Sequence, residues 1–200
     1  KESSAASDVY KRQTYDSPLG EIMIAADSKG IAGLWIQGQK YFEDMGEAGA
    51  TSTAEFIPGT ELDKDNDIKQ SLDMACRWLD RYFAGEAPEP GELPLAPAGS
   101  EFRRMVWKIL CEIPSGKTTT YGEIAKQIAD MTGRKTMTAQ AVGGAVGHNP
   151  ISIIIPCHRV VGTNGSLTGY AGGIDKKIAL LKLEGVDMDG LFVPKKGTAL

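Results

Sequence analysis

Only three cysteines and two histidines occur in the 200 residues. The cysteines, Cys76, Cys111 and Cys157, are an odd number, far apart, without a CxxC pair among them. Neither a disulfide framework nor a zinc site is supported by that scarcity, and no metal is expected. No stretch approaches the roughly 20 consecutive apolar residues that span a bilayer, and residues 1–20 lack the apolar centre of a secretory signal. A soluble, intracellular protein is therefore expected, cytoplasmic or, in a eukaryote, nuclear, with no membrane partner. No glycine-rich dinucleotide or methyl-donor loop is present, so no cofactor is expected either.

What is present suits one large or two small globular domains, with 42% hydrophobic residues to build a core. The net charge of −4 hides an asymmetry: residues 1–97 carry 9 Lys and Arg against 18 Asp and Glu, whereas residues 98–190 carry 11 against 8. A polyanion would dock on the second half.

Residues 1–14, the first ten of them rich in Ser and Ala, read as a disordered tail, with structure beginning near Tyr15. Ile22 to Ala26 and Ile31 to Ile36 read as a hairpin closed by the four-residue loop Asp27 to Gly30. Gly38 to Pro58 has no clear pattern. Ile68, Leu72, Ala75, Leu79 and Phe83 predict an amphipathic helix ending at Gly85. An α+β domain over 15–85 follows. Pro88, Pro90, Pro94 and Pro97 then mark 86–99 as a linker.

The second domain, 100–190, opens on a helix capped by Ser100. A short helix from Tyr121 to Gly133 and another from about Met137 to Val146, packed closely through Gly143 and Gly144, outline a helix-turn-helix. Ile151 to Ile155 read as a buried strand. A glycine-rich loop spans Gly162 to Gly173, and a last helix through Ile174, Ile178, Leu180 and Leu181 ends at Gly185. Residues 191–200 read as a tail.

The strand reading ends at Pro156, which delivers Cys157 and His158 to the mouth of the core. Pro156 could open a helical turn whose N-terminal dipole favours a thiolate. A thiol there is either a buried structural residue or a nucleophile. On an extended segment the two side chains point to opposite faces, so a bridging water is expected between thiol and imidazole. Glu184, at the end of the last helix, is a candidate to orient the imidazole, or else a solvated carboxylate. With both partners in place the thiol pKa is expected to be depressed.

The segment Asn149 to Val161, NPISIIIPCHRVV, closely resembles the active-site signature of the 6-O-methylguanine-DNA methyltransferases, the methylated-DNA-protein-cysteine methyltransferases. Further likeness lies in Ser17-Pro18-Leu19-Gly20, Val106-Trp107-Lys108, Pro114-Ser115-Gly116, Thr120-Tyr121, Ala141 to Gly144, Tyr170 to Gly173 and Leu180 to Gly185, in family order from about residue 15 to 187. The resemblance implies an α+β fold, a ribonuclease H-like sheet domain followed by a helical domain with a winged helix-turn-helix. It implies irreversible transfer of the alkyl group of 6-O-methylguanine, and of 4-O-methylthymine, to Cys157, once per molecule. The partner would be double-stranded DNA carrying alkylated guanine, bound by a monomer. The base must be flipped out, because the alkylated oxygen lies inside the stacked duplex.

By the same resemblance His158 is the water-mediated base, Glu184 its partner, and Asn149 the tie between recognition helix and site. Tyr121 sits over the backbone and the guanine edge. The Ala171 amide and Val160 carbonyl read the base beside Tyr170, and Arg159 serves structure. Gln140 stands where many relatives carry an arginine that fills the hole left by the flipped base. The competing classes are a lesion binder that does not react, a cysteine hydrolase and a sequence-reading regulator. Turnover separates the hydrolase, which cycles, from an acceptor that stops after one equivalent.

Overall fold

A computed structural model describes residues 10–42 and 66–195. The expected tail over 1–9, the pattern-free residues 43–58 and the chain end at 196–200 lie outside the described residues.

Three antiparallel strands, β1 (Lys11–Ser17), β2 (Gly20–Asp27) and β3 (Gly30–Ile36), form the first sheet. Strand β1 begins four residues before Tyr15, so the expected tail to residue 14 is too long. It is held because each residue from Lys11 to Ser17 pairs with β2. The hairpin loop is also shorter than expected. Asp27 and Gly30 face each other across the ladder, and the Asp27 carboxylate accepts the Lys29 and Gly30 amides at 2.7 and 3.1 Å. Gly30 has φ 135°, which a side chain would strain.

One face of the sheet presents Ile22, Ile24, Leu34 and Ile36 to α1 (Asn66–Phe83), which buries Ile68, Leu72, Ala75, Trp78, Leu79 and Tyr82. The proline-rich segment behind α1 is docked rather than loose. Ile31 donates to the Pro94 carbonyl at 2.7 Å and Ala96 donates back to Ile31 at 2.8 Å, so Leu95 extends the sheet by a parallel bridge. The Trp78 indole donates to the Glu89 carbonyl at 2.9 Å. Prolines bar a ladder only where they would donate; their carbonyls accept, and the non-proline residues between them supply the amides.

The second half holds α2 (Glu101–Cys111), the two-residue β4 (Thr119–Thr120), α3 (Tyr121–Thr132), α4 (Ala139–Gly147), β5 (Val160–Val161) and α5 (Ile174–Leu183). Caps end these helices where the sequence indicated. Ser100 Oγ accepts the Arg103 amide, Thr120 and Glu123 form a reciprocal capping box, and Gly133 and Gly185 have φ 65° and 71°. Thr138 caps α4. A Cβ on Gly144 would meet nothing within 4 Å, so close packing does not explain that glycine. Strands β4 and β5 pair in parallel.

The chain end is not a free tail as far as Phe192. Leu167 donates to the Phe192 carbonyl at 2.8 Å and Phe192 to Gly165 at 3.1 Å. One continuous core runs through both halves, from Ile22 and Leu34 through Trp107 and Leu110 to Ile154 and Leu180. Among the described residues no helix is long and apolar enough to cross a membrane.

Candidate active site

The apolar run before Cys157 is buried but is not a strand. Ile154 bonds back to the Ser152 carbonyl at 2.8 Å, Ile155 to Ile151 at 3.0 Å, and Cys157 to Ile155 at 2.8 Å. Ile153 adopts φ 70°, a conformation that costs a β-branched residue on the order of 1–3 kcal/mol. An apolar run marks burial without distinguishing a strand from a wound turn.

Asn149 makes the turn possible. Its amide nitrogen donates to the Ile151 and Ile155 carbonyls at 3.3 and 2.8 Å, and its oxygen accepts the Ile151 amide at 3.0 Å. These bonds satisfy buried backbone groups that no ladder reaches. The first domain supplies the rest. Leu34 donates to the Pro150 carbonyl at 2.8 Å and accepts from Ser152 at 2.9 Å.

Cys157, His158 and Arg159 then form one 3₁₀ turn after Pro156. The three side chains therefore splay around the turn instead of alternating along an extended segment. All three are buried. His158 Nε2 lies 2.7 Å from Glu184 Oε1. Arg159 donates to both oxygens of Glu184, at 2.8 and 2.9 Å, and to the Ile113 carbonyl. Tyr82, from α1, donates to Glu184 Oε1 at 2.7 Å.

Burial alone would raise the Glu184 carboxyl. The hydrogen bonds from His158 and Arg159 and the Arg159 charge outweigh it and bring the group down to about 2. Glu184 is thus an anion that only accepts, so His158 Nε2 carries the hydrogen and Nδ1 is left as the acceptor. Burial lowers the His158 pKa, which keeps the ring neutral despite the pull of Glu184. Among the described residues Nδ1 is a buried nitrogen without a hydrogen-bond partner.

The thiol itself departs from expectation. Burial pushes the Cys157 pKa up, and the Asn149 hydrogen bond, the Lys177 charge and the backbone of Cys157 and His158 offset this only in part. The resting residue is a thiol, and neither the His158 ring nor Glu184 is among the groups that lower it. Cys76 and Cys111 are also raised by burial, each to about 11.

The remaining wall comes from the glycine-rich loop and α5. Lys177 is fully buried, with Nζ donating to the Val160 and Thr168 carbonyls at 2.6 and 2.7 Å. Burial lowers its pKa to about 8, against an opposing pull from Cys157. Tyr121 donates to the same Thr168 carbonyl at 3.2 Å. The Tyr170 ring meets the His158 ring edge-on at 6.3 Å, and its buried hydroxyl has no partner among the described residues. Gly172 has room for no side chain, since a Cβ would strike the Tyr170 ring at 2.6 Å. The Ala171 carbonyl accepts the Lys40 amide at 2.9 Å.

Cys157, His158, Glu184 and Asn149 are thus joined by one turn and its bonds, with Val160, Tyr121, Tyr170 and Ala171 on the wall nearby. Gln140 stands apart, exposed in the first turn of α4. Two residues escaped the sequence reading, Lys177 and Tyr82, while Arg159, read as structural, was not foreseen as the clamp on Glu184. Lys177 did leave a signal, a lysine spaced three and four residues from Ile174 and Leu181 on an apolar helix face. Tyr82 shares the buried stripe of Trp78 and Leu79 in the same way.

Comparison with known proteins agrees with this architecture. Residues 10–97 match the family described as 6-O-methylguanine DNA methyltransferase, ribonuclease-like domain. Residues 101–186 match the corresponding DNA binding domain. A methylated-DNA-protein-cysteine methyltransferase of Methanosarcina acetivorans is 42% identical over 86% of this chain and 96% of its own. One of Methanosarcina barkeri is 44% identical over 84% and 93%. The crystal structure of Mycobacterium tuberculosis OGT in complex with DNA superposes with a TM-score of 0.65 at 39% identity, covering 88% of this chain and 91% of that one. The α+β fold is therefore a ribonuclease-like sheet domain followed by a helical DNA-binding domain, and the chain belongs to the methylated-DNA-protein-cysteine methyltransferase family.

Proposed function

We propose that Cys157 Sγ is the alkyl acceptor in direct-reversal repair of 6-O-methylguanine in double-stranded DNA, and by the same chemistry of 4-O-methylthymine. The carrying observation is the buried imidazole beside it. His158 is neutral, has its Nε2 hydrogen committed to Glu184, and presents an unpartnered Nδ1.

The Cys157 proton passes through one bridging water to Nδ1, and the imidazolium so formed faces the Glu184 anion. Sulfur attacks the alkyl carbon. The S–C bond forms as the C–O bond to the base breaks, and the electron pair returns to the base, which then takes up a proton. Because a thioether does not hydrolyse under these conditions, each molecule acts once.

A thiol kept protonated at rest avoids unproductive oxidation and alkylation, which favour the thiolate. Lys177 supplies the cation that favours the thiolate once the base is in place. Val160 retains a second carbonyl lone pair for the base, its first being engaged by Lys177. The Ala171 amide, Tyr170 and Tyr121 line the base site, Asn149 ties it to α4, and Gln140 on the exposed start of α4 fills the stack. All of these groups come from one chain, which supports action as a monomer. The cytoplasm, or the nucleus of a eukaryote, is where such a substrate is met.

Intact-mass measurement after incubation with a methylated duplex tests this reading. A single alkyl adduct at one equivalent is expected, mapped to Cys157 and absent in Cys157→Ser, which should still bind DNA. An adduct on Cys76 or Cys111, or continued turnover beyond one equivalent, would overturn it.

A further inference from the structure

Tyr82 occupies the last turn of α1, in the ribonuclease-like domain, and is 2% exposed. Its ring stacks on Trp78 with centroids 5.3 Å apart and meets Phe83 edge-on at 5.3 Å. A buried phenol requires a hydrogen-bond partner. The partner is not in its own domain. It is Glu184 Oε1, 102 residues away at 2.7 Å, the same oxygen that faces His158 Nε2 at 2.7 Å.

A carboxylate offers about four lone-pair directions. Here the four donated bonds crowd onto one oxygen: Oε1 receives Tyr82, His158 and Arg159 Nη2, and Oε2 receives Arg159 Nε alone. Three of the four come from the His158-Arg159 turn, which also carries the thiol. Among the described residues, only the Tyr82 hydroxyl fixes the carboxylate from outside that turn.

We propose that Tyr82 is a positioning residue for alkyl transfer: its hydroxyl holds Glu184 in register with His158 and limits how strongly the carboxylate pulls on the imidazole. This rests on the reading that His158 Nδ1 is the base. With one donor removed, the negative charge on Oε1 is shared among fewer bonds, so Glu184 attracts the Nε2 hydrogen more strongly. The imidazole then becomes protonated at higher pH. A doubly protonated ring has no acceptor nitrogen, and transfer fails at a pH where the unaltered protein still reacts. The other groups facing this pair are the Arg159 and Lys177 cations, the Cys157 thiol and the Tyr170 hydroxyl. None of them changes when the Tyr82 hydroxyl is removed.

Tyr82→Phe keeps the ring and its stacking while deleting the hydroxyl. The full chain is assayed for single-turnover transfer at saturating methylated duplex from about pH 5 to 9, with duplex affinity measured alongside. The acid limb of the rate profile should move to higher pH by about half a unit or more, the plateau should fall on the order of three- to tenfold, and duplex affinity should stay the same. A merely structural Tyr82 would lower the fraction of active protein without moving the limb. An unmoved limb overturns the proposal.

If Tyr82→Phe does not fold, 3,5-difluorotyrosine installed at position 82 retains the hydroxyl and strengthens it as a donor. The limb should then move to lower pH, and an unmoved limb again overturns the proposal. Failure of the underlying reading looks different, because a Cys157→Ser protein would still acquire the adduct, or the unaltered protein would acquire none.

Discussion

Glu184 illustrates how much a single side chain can be asked to do. Sequence alone allowed it to be either an orienter of His158 or a solvated helix-end carboxylate. The structure makes it the anion that neutralises buried Arg159 as well, with side-chain exposures of 2% and 6%. Glu184→Gln should therefore slow transfer by roughly 10- to 1000-fold, as loss of an orienter does. It should also destabilise the fold by about 3–5 kcal/mol, because it strands a buried guanidinium. The folded carboxyl sits near 2 against an ordinary 4.5. Its stabilising contribution is thus complete above the ordinary value and fades as pH falls toward 2. Denaturant titrations of both proteins should differ at neutral pH and converge on acidification. Equal midpoints at neutral pH would show that Arg159 finds another partner. Cys157, His158 and Glu184 were legible because their chemistry is carried by residue type. Lys177 and Tyr82 were not, because a charged or phenolic side chain on an apolar stripe shows burial but not what it touches.

At the scale of elements, what could be read depended on periodicity and caps. The helices were legible because their apolar spacing and the Ser100, Gly133 and Gly185 signals agree with each other. The Ile151–Ile155 turn was not, since its conformation is imposed by Asn149 and by Leu34, and the latter is more than a hundred residues away. Helix α4 connects the two ends of the proposed function. Gln140 lies exposed in its first turn, while at its other end the His148 amide bonds to the Gly144 carbonyl and the chain passes directly into Asn149. If Gln140 fills the stack, Gln140→Ala should slow repair of a lesion in duplex DNA much more than reaction with the free alkylated base, which needs no flipping. Gln140→Arg should strengthen duplex binding by about 1 kcal/mol through an added minor-groove cation. Single-turnover rates on the two substrates decide the matter: equal losses, or none, would mean that a different side chain enters the stack.

For the molecule as a whole, the sequence divided the chain by charge and composition, and it suggested a looser joint than exists. The change from an acidic to a basic half falls within the proline-rich segment, and the matched families meet there too, ending at 97 and starting at 101. Physically the joint is closed on three sides. Leu95 bridges to Ile31, Leu34 bridges to Ile151, and Tyr82 reaches Glu184, all over one shared core. Proline content reports the absence of amide donors, not the absence of docking, which is why composition alone read it as a linker. A shared core implies that neither half retains its packing once the other is lost. Thermal or denaturant unfolding should then be a single cooperative transition, with far-UV circular dichroism and tryptophan fluorescence coincident. The fluorescence samples both halves, through Trp35 and Trp78 in the first and Trp107 in the second. Two separated transitions would show that the halves are stable apart, and the contact between Tyr82 and Glu184 would then be lost before the site itself unfolds.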